Sequence, residues 1–429
     1  MTKVCHLSSA HAPNDTRIFH KQCASLAKAG YQVSFVVKAK DAQSVGCTTQ
    51  KGVQVIQVPV DSSSRFKRML FGAKAVYQKA LEVDADIYEF HDPELLPYGL
   101  KLAKKGKKVI FDSHEDYPTQ IMEKEWIPTL LRRMISSAYR AYETHVVKQL
   151  DAVLFPCTKN GINIFENRAK QVVILSNAVM LEEMTPPQQE AQKPGDTICC
   201  TGSLTYKRGI THLIRAAHQA GVKLILAGQY SSEEYRRELE AMPEYSCVEY
   251  LGYIGRQELA QVYARSSIGM STILNVGQYA SLDNFPTKVY EYMAAGLPVI
   301  VSDYPFMRRS VQQDDFGIAV DPADVQAVAQ AIGAILSDPQ RAQQMGENGR
   351  QAVLQKYNWD IELKKLLELY LPPIPQADVL SLLNAQTQQR LSGLKLLSPE
   401  TFLKNRREEI RALEQDAVYL SGKLDLAQK

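Results

Sequence analysis

No apolar run in this chain approaches the roughly 20 residues that a membrane-spanning helix requires. Its first residues, MTKVCHLSSAHAP, read as a strand and a loop without a signal-peptide core. The expectation is a cytoplasmic protein, at most resting on the inner face of the plasma membrane. Cysteine is sparse: seven residues are scattered, no C-x-x-C pair occurs, and Cys199–Cys200 fall within an apolar strand pattern. That pattern excludes a disulfide scaffold and favours buried thiols in a reducing compartment. Neither H-x-x-x-H nor H-E-x-x-H spacing occurs, so no metal is expected. The basic residues lack interleaved aromatics and match no nucleic-acid motif, which argues against DNA or RNA as a partner.

What is present is an ordinary globular composition, 45% apolar and 23% charged over 429 residues. That length accommodates two large domains, each with its own core. The net charge of +3 hides an asymmetry: residues 1–180 carry +8, residues 181–374 carry −6 and residues 375–429 carry +1. The first half should therefore attract anions.

Short β-branched runs alternate with amphipathic helical periods. Strands are expected at Lys3–Leu7, Gln32–Val37, Val53–Val58, Ile87–Phe90, Lys108–Phe111, Ala152–Phe155 and Val172–Leu175. Helices are expected at Thr16–Ala29, Phe66–Leu81 and Glu94–Lys104, with one long or kinked stretch at Gln120–Lys148. Residues 181–196, rich in Pro, Gln and Glu, read as a linker. The rhythm then restarts, with strands at Thr197–Thr201, Lys223–Ala227, Cys247–Tyr250, Ile268–Met270, Pro298–Val301 and Gly317–Val320. The fold class is α/β: two doubly wound domains, 1–180 and 197–357, facing a cleft. A helix over 358–371 should follow, stopped by Pro372, Pro373 and Pro375. Residues 375–429 form a helical extension, in which Ile410, Leu413, Ala417, Leu420 and Leu424 repeat at heptad-like spacing. That seam serves either packing on its own protein or self-association, so partner docking and a homo-oligomer are both expectations for it.

Five constellations could carry chemistry. In F-P-T-K-V-Y-E-Y-M-A-A-G-L-P-V-I, from Phe285, a helix opens at Pro286/Thr287 and ends at Gly296. Free N–H groups at such a start bind phosphate. Thr287 and Lys288 could add a hydroxyl and a charge, and Glu291, one turn along, could accept a ribose diol. The stretch Thr201–Gly209 follows a strand and opens a helix. Gly202 and Ser203 allow close approach, while Lys207 and Arg208 could neutralise a diphosphate. After the strand ending at Phe90 come His91, Asp92, Pro93 and Glu94. After the next come Asp112, Ser113, His114, Glu115 and Asp116. After the first strand, Ser8–Arg17 offers Ser9 and His11 to a ligand; Asp15 and Arg17 either do the same or pair with each other. Gly228 closes a strand, and Gly252-Tyr253-Ile254 closes the next, where Tyr253 or Ile254 could pack on a base.

The 283–300 stretch closely resembles the motif of retaining glycosyltransferases of family 4, which have the GT-B fold: two glutamates with seven residues between them, then M-A-x-G-x-P-V-I. The resemblance covers about residues 1–370. It implies that Glu291 holds the donor ribose and that Asp283, standing where the family has its first glutamate, contacts sugar hydroxyls. It also implies that Arg208 stabilises the leaving diphosphate, with Ser203 in place of the family's arginine. His91-Asp92-Pro93 is similar to the family's His-acid-Pro segment, whose histidine approaches the donor sugar. The implied catalytic set is His91, Arg208, Asp283 and Glu291. Donor contacts fall to Gly202, Ser203, Lys207, Gly228, Tyr253, Ile254, Pro286, Thr287 and Lys288. The acceptor would enter beside Ser9, His11, Asp15, Arg17, Asp92, His114 and Glu115. No cofactor is implied beyond a nucleotide-diphosphate sugar as co-substrate, and the acceptor would be a glycan or a lipid-diphosphate-linked glycan. The helix at 358–371 resembles the family's crossover back to the first domain.

Basic stretches at Lys101–Lys108, Arg65–Phe71 and Arg132–Ile135 suit either solvent or an anionic membrane, so a peripheral membrane contact through the first domain is expected. A non-catalytic donor-binding or scaffold subunit, and a nucleotide-sugar epimerase of the same fold, are the alternative functions.

Overall fold

The computed structural model describes residues 1–59, 65–124, 126–183 and 195–371, with the side chains of residues 65–70 excepted. The central part of the linker (184–194), the extension at 375–429 with its heptad-like seam, and the basic side chains from Arg65 to Met69 lie outside the described residues.

Eight strands build the first sheet: β1 (Lys3–Ser8), β2 (Gln32–Lys38), β3 (Gly46–Gln50), β4 (Val53–Val58), β5 (Ile87–Phe90), β6 (Lys108–Asp112), β7 (Ala152–Phe155) and β8 (Val172–Ile174). Their order is β3-β4-β2-β1-β5-β6-β7-β8. All neighbours run parallel except β3, which pairs antiparallel with β4 at the edge. Six parallel strands build the second sheet: β9 (Thr197–Thr201), β10 (Lys223–Ala227), β11 (Val248–Gly252), β12 (Ile268–Ser271), β13 (Val299–Ser302) and β14 (Gly317–Val320). Their order is β11-β10-β9-β12-β13-β14. Both sheets lie within one compact unit, Met1–Leu369.

The strand orders locate the two places where ligands gather. Connections run outward from β1 on one side and from β5 on the other, and likewise from β9 and β12. The carboxyl ends of β1/β5 and of β9/β12 are therefore the switch points, where loops diverge and leave a crevice.

One face of the first sheet is a conventional apolar layer. Leu7, Val36, Tyr88, Phe90, Val109, Phe111 and Val153 pack with residues of the helices Leu96–Lys104 and Thr129–Val147. The opposite face is not. Strand register sets His6 beside Glu89, and these residues, with His91, Asp112, Arg17 and Gln22, form a polar layer with almost no solvent exposure. The segment expected as one helix over Thr16–Ala29 covers that layer as two pieces. Thr16–Cys23 is wound wide, with His20 N–H donating to Asp15 C=O, and Ala24–Lys28 follows as an ordinary α-helix. Wide turns of this kind are rare and concentrate at functional sites.

The stretch Gln120–Lys148 is two helices, Tyr117–Glu123 and Thr129–Val147, separated near Pro128. Proline lacks the N–H that a continuous helix would need there and restricts the residue before it. The helix Trp359–Tyr370 meets the first sheet's polar-layer side. Trp359 Nε1 donates to Ser25 Oγ at 2.9 Å, Ser176 N–H donates to Glu362 Oε2 at 2.8 Å, and Lys108 Nζ donates to the Leu369 carbonyl at 2.6 Å.

Candidate active site

At the second switch point, β9 ends in Thr201 and the chain turns through Gly202 at φ +94°. Gly202 N–H donates to Ala227 C=O at 2.8 Å, and Gly228 N–H donates to Gly252 C=O at 2.7 Å. These bonds tie the ends of β9, β10 and β11 into one rim. Two glycines here cannot be replaced by a residue with a side chain. A Cβ on Gly228 (φ +149°) would sit 1.8 Å from the Gly202 carbonyl, and one on Gly209 (φ +74°) would sit 1.9 Å from the Thr272 carbonyl. Thr205 accepts from Arg208 N–H at 3.1 Å and closes a short turn over Tyr206–Arg208. Ser203 and Lys207 are exposed on that turn. Arg208 is half-buried, its guanidinium 5.6 Å from the centre of the Tyr279 ring.

The helix Thr287–Ala294 begins after Pro286 and places Glu291 on the same rim. Tyr263 Oη donates to Glu291 Oε2 at 2.9 Å. Tyr263 lies 3.4 Å from Thr201 Oγ1, and Tyr292 Oη accepts from Thr201 N–H at 2.9 Å. Burial, together with the neighbouring Glu291 carboxylate, pushes the Tyr263 hydroxyl well above the ordinary phenol range, so it stays a donor. Tyr253, 80% exposed, stands at the outer rim beyond β11, while Ile254 is partly buried against the core.

Two expectations for this half are corrected. Lys288 does not stand open at the helix mouth: it is buried, and its ammonium donates to Cys200 Sγ at 3.3 Å. The helical twist turns position 288 inward, toward β9, whereas Thr287 remains partly accessible. Asp283 does not present its carboxylate to an open pocket. Oδ2 accepts from Thr158 Oγ1 at 2.7 Å and from Gly161 N–H at 2.5 Å, Asp283 N–H donates to Thr158 C=O at 2.9 Å, and Oδ1 lies 3.7 Å from Arg309. A residue read as a sugar ligand thus staples the loop after β12 to the loop after β7. Gln278 Nε2 adds a second tie at 3.3 Å from Glu115 Oε2. Burial raises the Glu115 carboxyl above its usual range.

At the first switch point, Asp92 is the hub of the β1 loop. Its Oδ2 accepts from Ser8 Oγ at 2.8 Å, Ser9 N–H at 2.6 Å and Ala10 N–H at 3.1 Å, and Oδ1 lies 3.0 Å from His11 Nδ1. Burial alone would raise this carboxyl; the bond and charge of His11, with the Ser8 and Ser9 donors, outweigh it and hold it down at about 2. In return, and against its own burial, the His11 ring is raised above its usual value. Ser9 Oγ donates to Glu94 Oε1 at 3.0 Å. Asp92 and Ser9 are therefore buried organisers of the loop rather than open ligands, a correction to their expected acceptor contact.

Asp112 is the second hub. Arg17 grips it twice, Nη2 on Oδ1 at 2.7 Å and Nε on Oδ2 at 2.9 Å, and Gln22 Nε2 donates to Oδ2 at 2.8 Å. His91 Nδ1 and His114 Nε2 each lie 3.1 Å from the same Oδ2. Full burial would raise the Asp112 carboxyl, but Arg17 and the two histidines hold it well below the carboxylate range. Arg17 and Asp15 do not pair with each other. Asp15 Oδ1 instead accepts from the N–H groups of Arg17 and Ile18, at 2.8 and 2.9 Å, as a helix cap.

His91 is corrected as well. It has no exposed surface; Nδ1 faces Asp112, and Nε2 lies 3.0 Å from His6 Nδ1. Desolvation lowers its pKa despite Asp112. The rings that do reach solvent are His11 and His114, with side chains 26% and 16% exposed and ring centres 4.7 Å apart. His91 stands behind His114, its ring centre 5.5 Å away. His6, Glu89 and His91, and likewise His91, Asp112 and His114, hold metal-type donor atoms within 4.8 Å of one another. In the second set, Asp112 is already engaged by Arg17 and Gln22.

Sequence reasoning missed Tyr263, Thr158 and His6, and gave Glu89, at the head of the His91 segment, no role. Tyr263 lies within a polar helix, Arg256–Ala264, and nothing in its neighbourhood marks it as a partner of Glu291. The signal for His6 and Glu89 was available: polar residues inside otherwise apolar strands, on the same side of the pleat as His91.

Two family models match the chain, one described as Glycosyltransferase Family 4 over residues 16–183 and one as Glycosyl transferases group 1 over residues 182–352. An uncharacterized glycosyltransferase of Methanocaldococcus jannaschii is 28% identical over 178 residues, 40% of this chain and 44% of that protein. A phosphatidyl-myo-inositol mannosyltransferase of Mycobacterium leprae is 24% identical over 213 residues, 48% of this chain and 54% of that protein. The chain thus spans about half the length of the curated relatives it matches. Among solved structures, sucrose-phosphate synthase from Thermosynechococcus elongatus superposes with a TM-score of 0.70 at 20% identity, covering 86% of this chain and 98% of that one. The architecture is the GT-B fold.

Proposed function

Because the chain belongs to the group 1, family 4 glycosyltransferases, we propose that it moves a glycosyl group, with retention, from a nucleotide-diphosphate sugar to a hydroxyl of a glycan or a lipid-linked glycan. The observation that carries this reading is the rim at the carboxyl ends of β9–β12. There Glu291, held by Tyr263, stands on the edge that also bears the glycine-hinged 201–209 turn. A carboxylate fixed by a buried phenol is prepared to accept both hydroxyls of a ribose. The diphosphate would follow beside this turn, with Arg208 as its partner and Lys207 as an outer cation. Tyr253, exposed at the outer rim, would cover the base.

In the reaction, the bond from C1 of the sugar to the β-phosphate oxygen breaks, and the bond from C1 to the acceptor oxygen forms on the same face. The acceptor proton passes to the leaving phosphate. Negative charge grows on the diphosphate, so Arg208 and the amides at Thr287 act where charge develops. On the other side, His114, oriented by Asp112, and His11, oriented by Asp92, are the exposed groups that would hydrogen-bond the acceptor. His91 acts through them as a positioning residue.

A nucleotide and nucleotide-sugar panel read by thermal shift tests the donor half. One ligand is expected to raise the unfolding temperature, and Glu291→Ala is expected to abolish most of that rise. An unchanged response in Glu291→Ala would sink the assignment. A donor-binding subunit without turnover is the second reading, favoured by the commitment of Asp283 to Thr158 and Gly161. Release of free nucleoside diphosphate that depends on added acceptor decides against it.

A further inference from the structure

The helix Thr129–Val147 has two apolar faces, and only one of them is used. Tyr139, Val146 and Val147 turn inward to the core of the first sheet. At about 100° per residue, Leu130, Leu131, Met134, Ile135 and Tyr142 fall on an arc of roughly 140° that borders the inward face on one side. All five are exposed, Leu130 at 89% and Met134 at 61%. Trp126, 76% exposed, precedes the helix, with Lys124 Nζ 5.9 Å from its ring centre. Six of the fourteen exposed large hydrophobics among the described residues lie from Trp126 to Tyr142. A continuous apolar surface of this kind on a folded protein marks a contact.

The charge around it says what kind. Between Thr129 and Tyr142 every charged residue is an arginine: Arg132, Arg133 and Arg140. The first carboxylate of the helix, Glu143, is buried and paired with Arg168 at 2.6 Å. Arg133 and Arg140 share one edge of the arc. A second copy meeting this face about a two-fold axis would bring cationic edges together, and the helix itself offers no exposed carboxylate to receive them. A face with apolar side chains at its centre, arginines on its edges and an exposed tryptophan at its end matches an anionic bilayer surface. In the other basic stretch with described side chains, Lys101 lies over the Tyr98 and Tyr77 rings, Lys107 pairs with Asp84 and Lys108 bonds the Leu369 carbonyl, which leaves Lys104 and Lys105 exposed there without an apolar surface beside them in the chain.

We propose that the outward face of Thr129–Val147, with Trp126, seats the protein on an anionic lipid surface and that the acceptor is carried by a lipid in that surface. The second clause rests on the transfer reading above. It follows from how the helix is fastened. Ser136 Oγ donates to the Pro118 carbonyl at 2.8 Å, and Pro118 belongs to the helix Tyr117–Glu123, which starts where the His114–Asp116 loop ends. Asp116 caps that helix through Thr119 N–H and pairs with Lys159 at 3.1 Å. Docking the face therefore fixes the acceptor loop close to the interface.

The test is co-sedimentation of the full chain with vesicles of phosphatidylcholine containing phosphatidylglycerol, and with phosphatidylcholine alone, at low and high salt. The intact protein is expected to pellet with the anionic vesicles and to be released by salt. Leu130→Glu/Met134→Glu is expected to bind them roughly tenfold more weakly or worse, since two apolar contacts are lost and two carboxylates are set against an anionic surface. Both positions face solvent, so its unfolding temperature should match the parent's. Glu291→Ala should pellet normally while losing its nucleotide response, which separates docking from the donor site. The proposal is overturned if the intact protein stays in the supernatant with anionic vesicles, or if the double variant pellets as well as the parent. A dimer by light scattering that the double variant abolishes would also overturn it, by giving the face to a second copy.

Discussion

Asp112→Asn is the sharpest perturbation that the structure offers. The carboxylate is fully buried and Arg17 nearly so, and Oδ2 alone faces four donors, from Arg17, Gln22, His91 and His114. An asparagine keeps the volume but removes the charge. It leaves the Arg17 guanidinium buried without a counter-ion, and it must set an NH2 against donors on one side. Breaking a buried pair in this way costs about 3–5 kcal/mol. At about 2–4 °C per kcal/mol for a domain of this size, the unfolding temperature should fall by roughly 6–20 °C. Because the folded Asp112 carboxyl is held well below its usual range, its contribution is complete above the unfolded pKa of about 3.9 and is lost as pH falls from there toward the folded value. The gap between parent and variant should thus narrow below about 4, and between there and neutral pH it should follow the neighbouring histidines, whose charged forms Asp112 favours. Differential scanning calorimetry of the parent, Asp112→Asn, Arg17→Met and the Arg17→Met/Asp112→Asn double variant measures the coupling. The double variant should be more stable than either single one, since replacing both charges removes both desolvation costs. A loss under about 2 °C for Asp112→Asn, or a double variant no better than the singles, would refute the view of this layer as a tightly coupled buried pair.

Two further outcomes follow from the hubs. The His11 imidazole should titrate above its usual value of about 6.5 in nitrogen-resolved NMR, and Asp92→Asn should bring it down. The stability from this pair should be present below the unfolded histidine pKa and fade as pH rises through the raised one, and a His11 midpoint unmoved by Asp92→Asn would count against the pairing. Asp283→Ala removes two bonds to the loop after β7, so the Gly161 amide should exchange with solvent at least about tenfold faster. If Gly161 exchange is unchanged while the KM for donor rises, Asp283 serves the sugar directly and the staple is incidental.

Alternation of β-branched runs with helical periods made both sheets legible, because parallel strands covered on two faces are mostly apolar. Strand β3 escaped notice for the opposite reason. Gly46–Gln50 is wholly exposed at an antiparallel edge, so nothing in its burial demands an apolar pattern. The helix Pro305–Asp314 was missed because it buries little beyond Met307 and Ser310. At the site, the positions of chemical residues along the chain could be read, but not the direction of their side chains. Lys288, Asp283 and His91 fell in the right loops, yet each points to a protein partner, to Cys200, Thr158 and Asp112 respectively. One-dimensional spacing carries which strand end a residue follows; it does not carry which neighbour across the sheet or across the cleft competes for it. The buried polar layer of His6, Glu89, His91, Asp112 and Arg17 is the case where that competition matters most. A sequence with the same residues spread over an apolar sheet face would be unstable without a covering helix that brings its own cation, so the wide-wound segment Thr16–Cys23 and its Arg17 are as much a condition of the site as the histidines themselves.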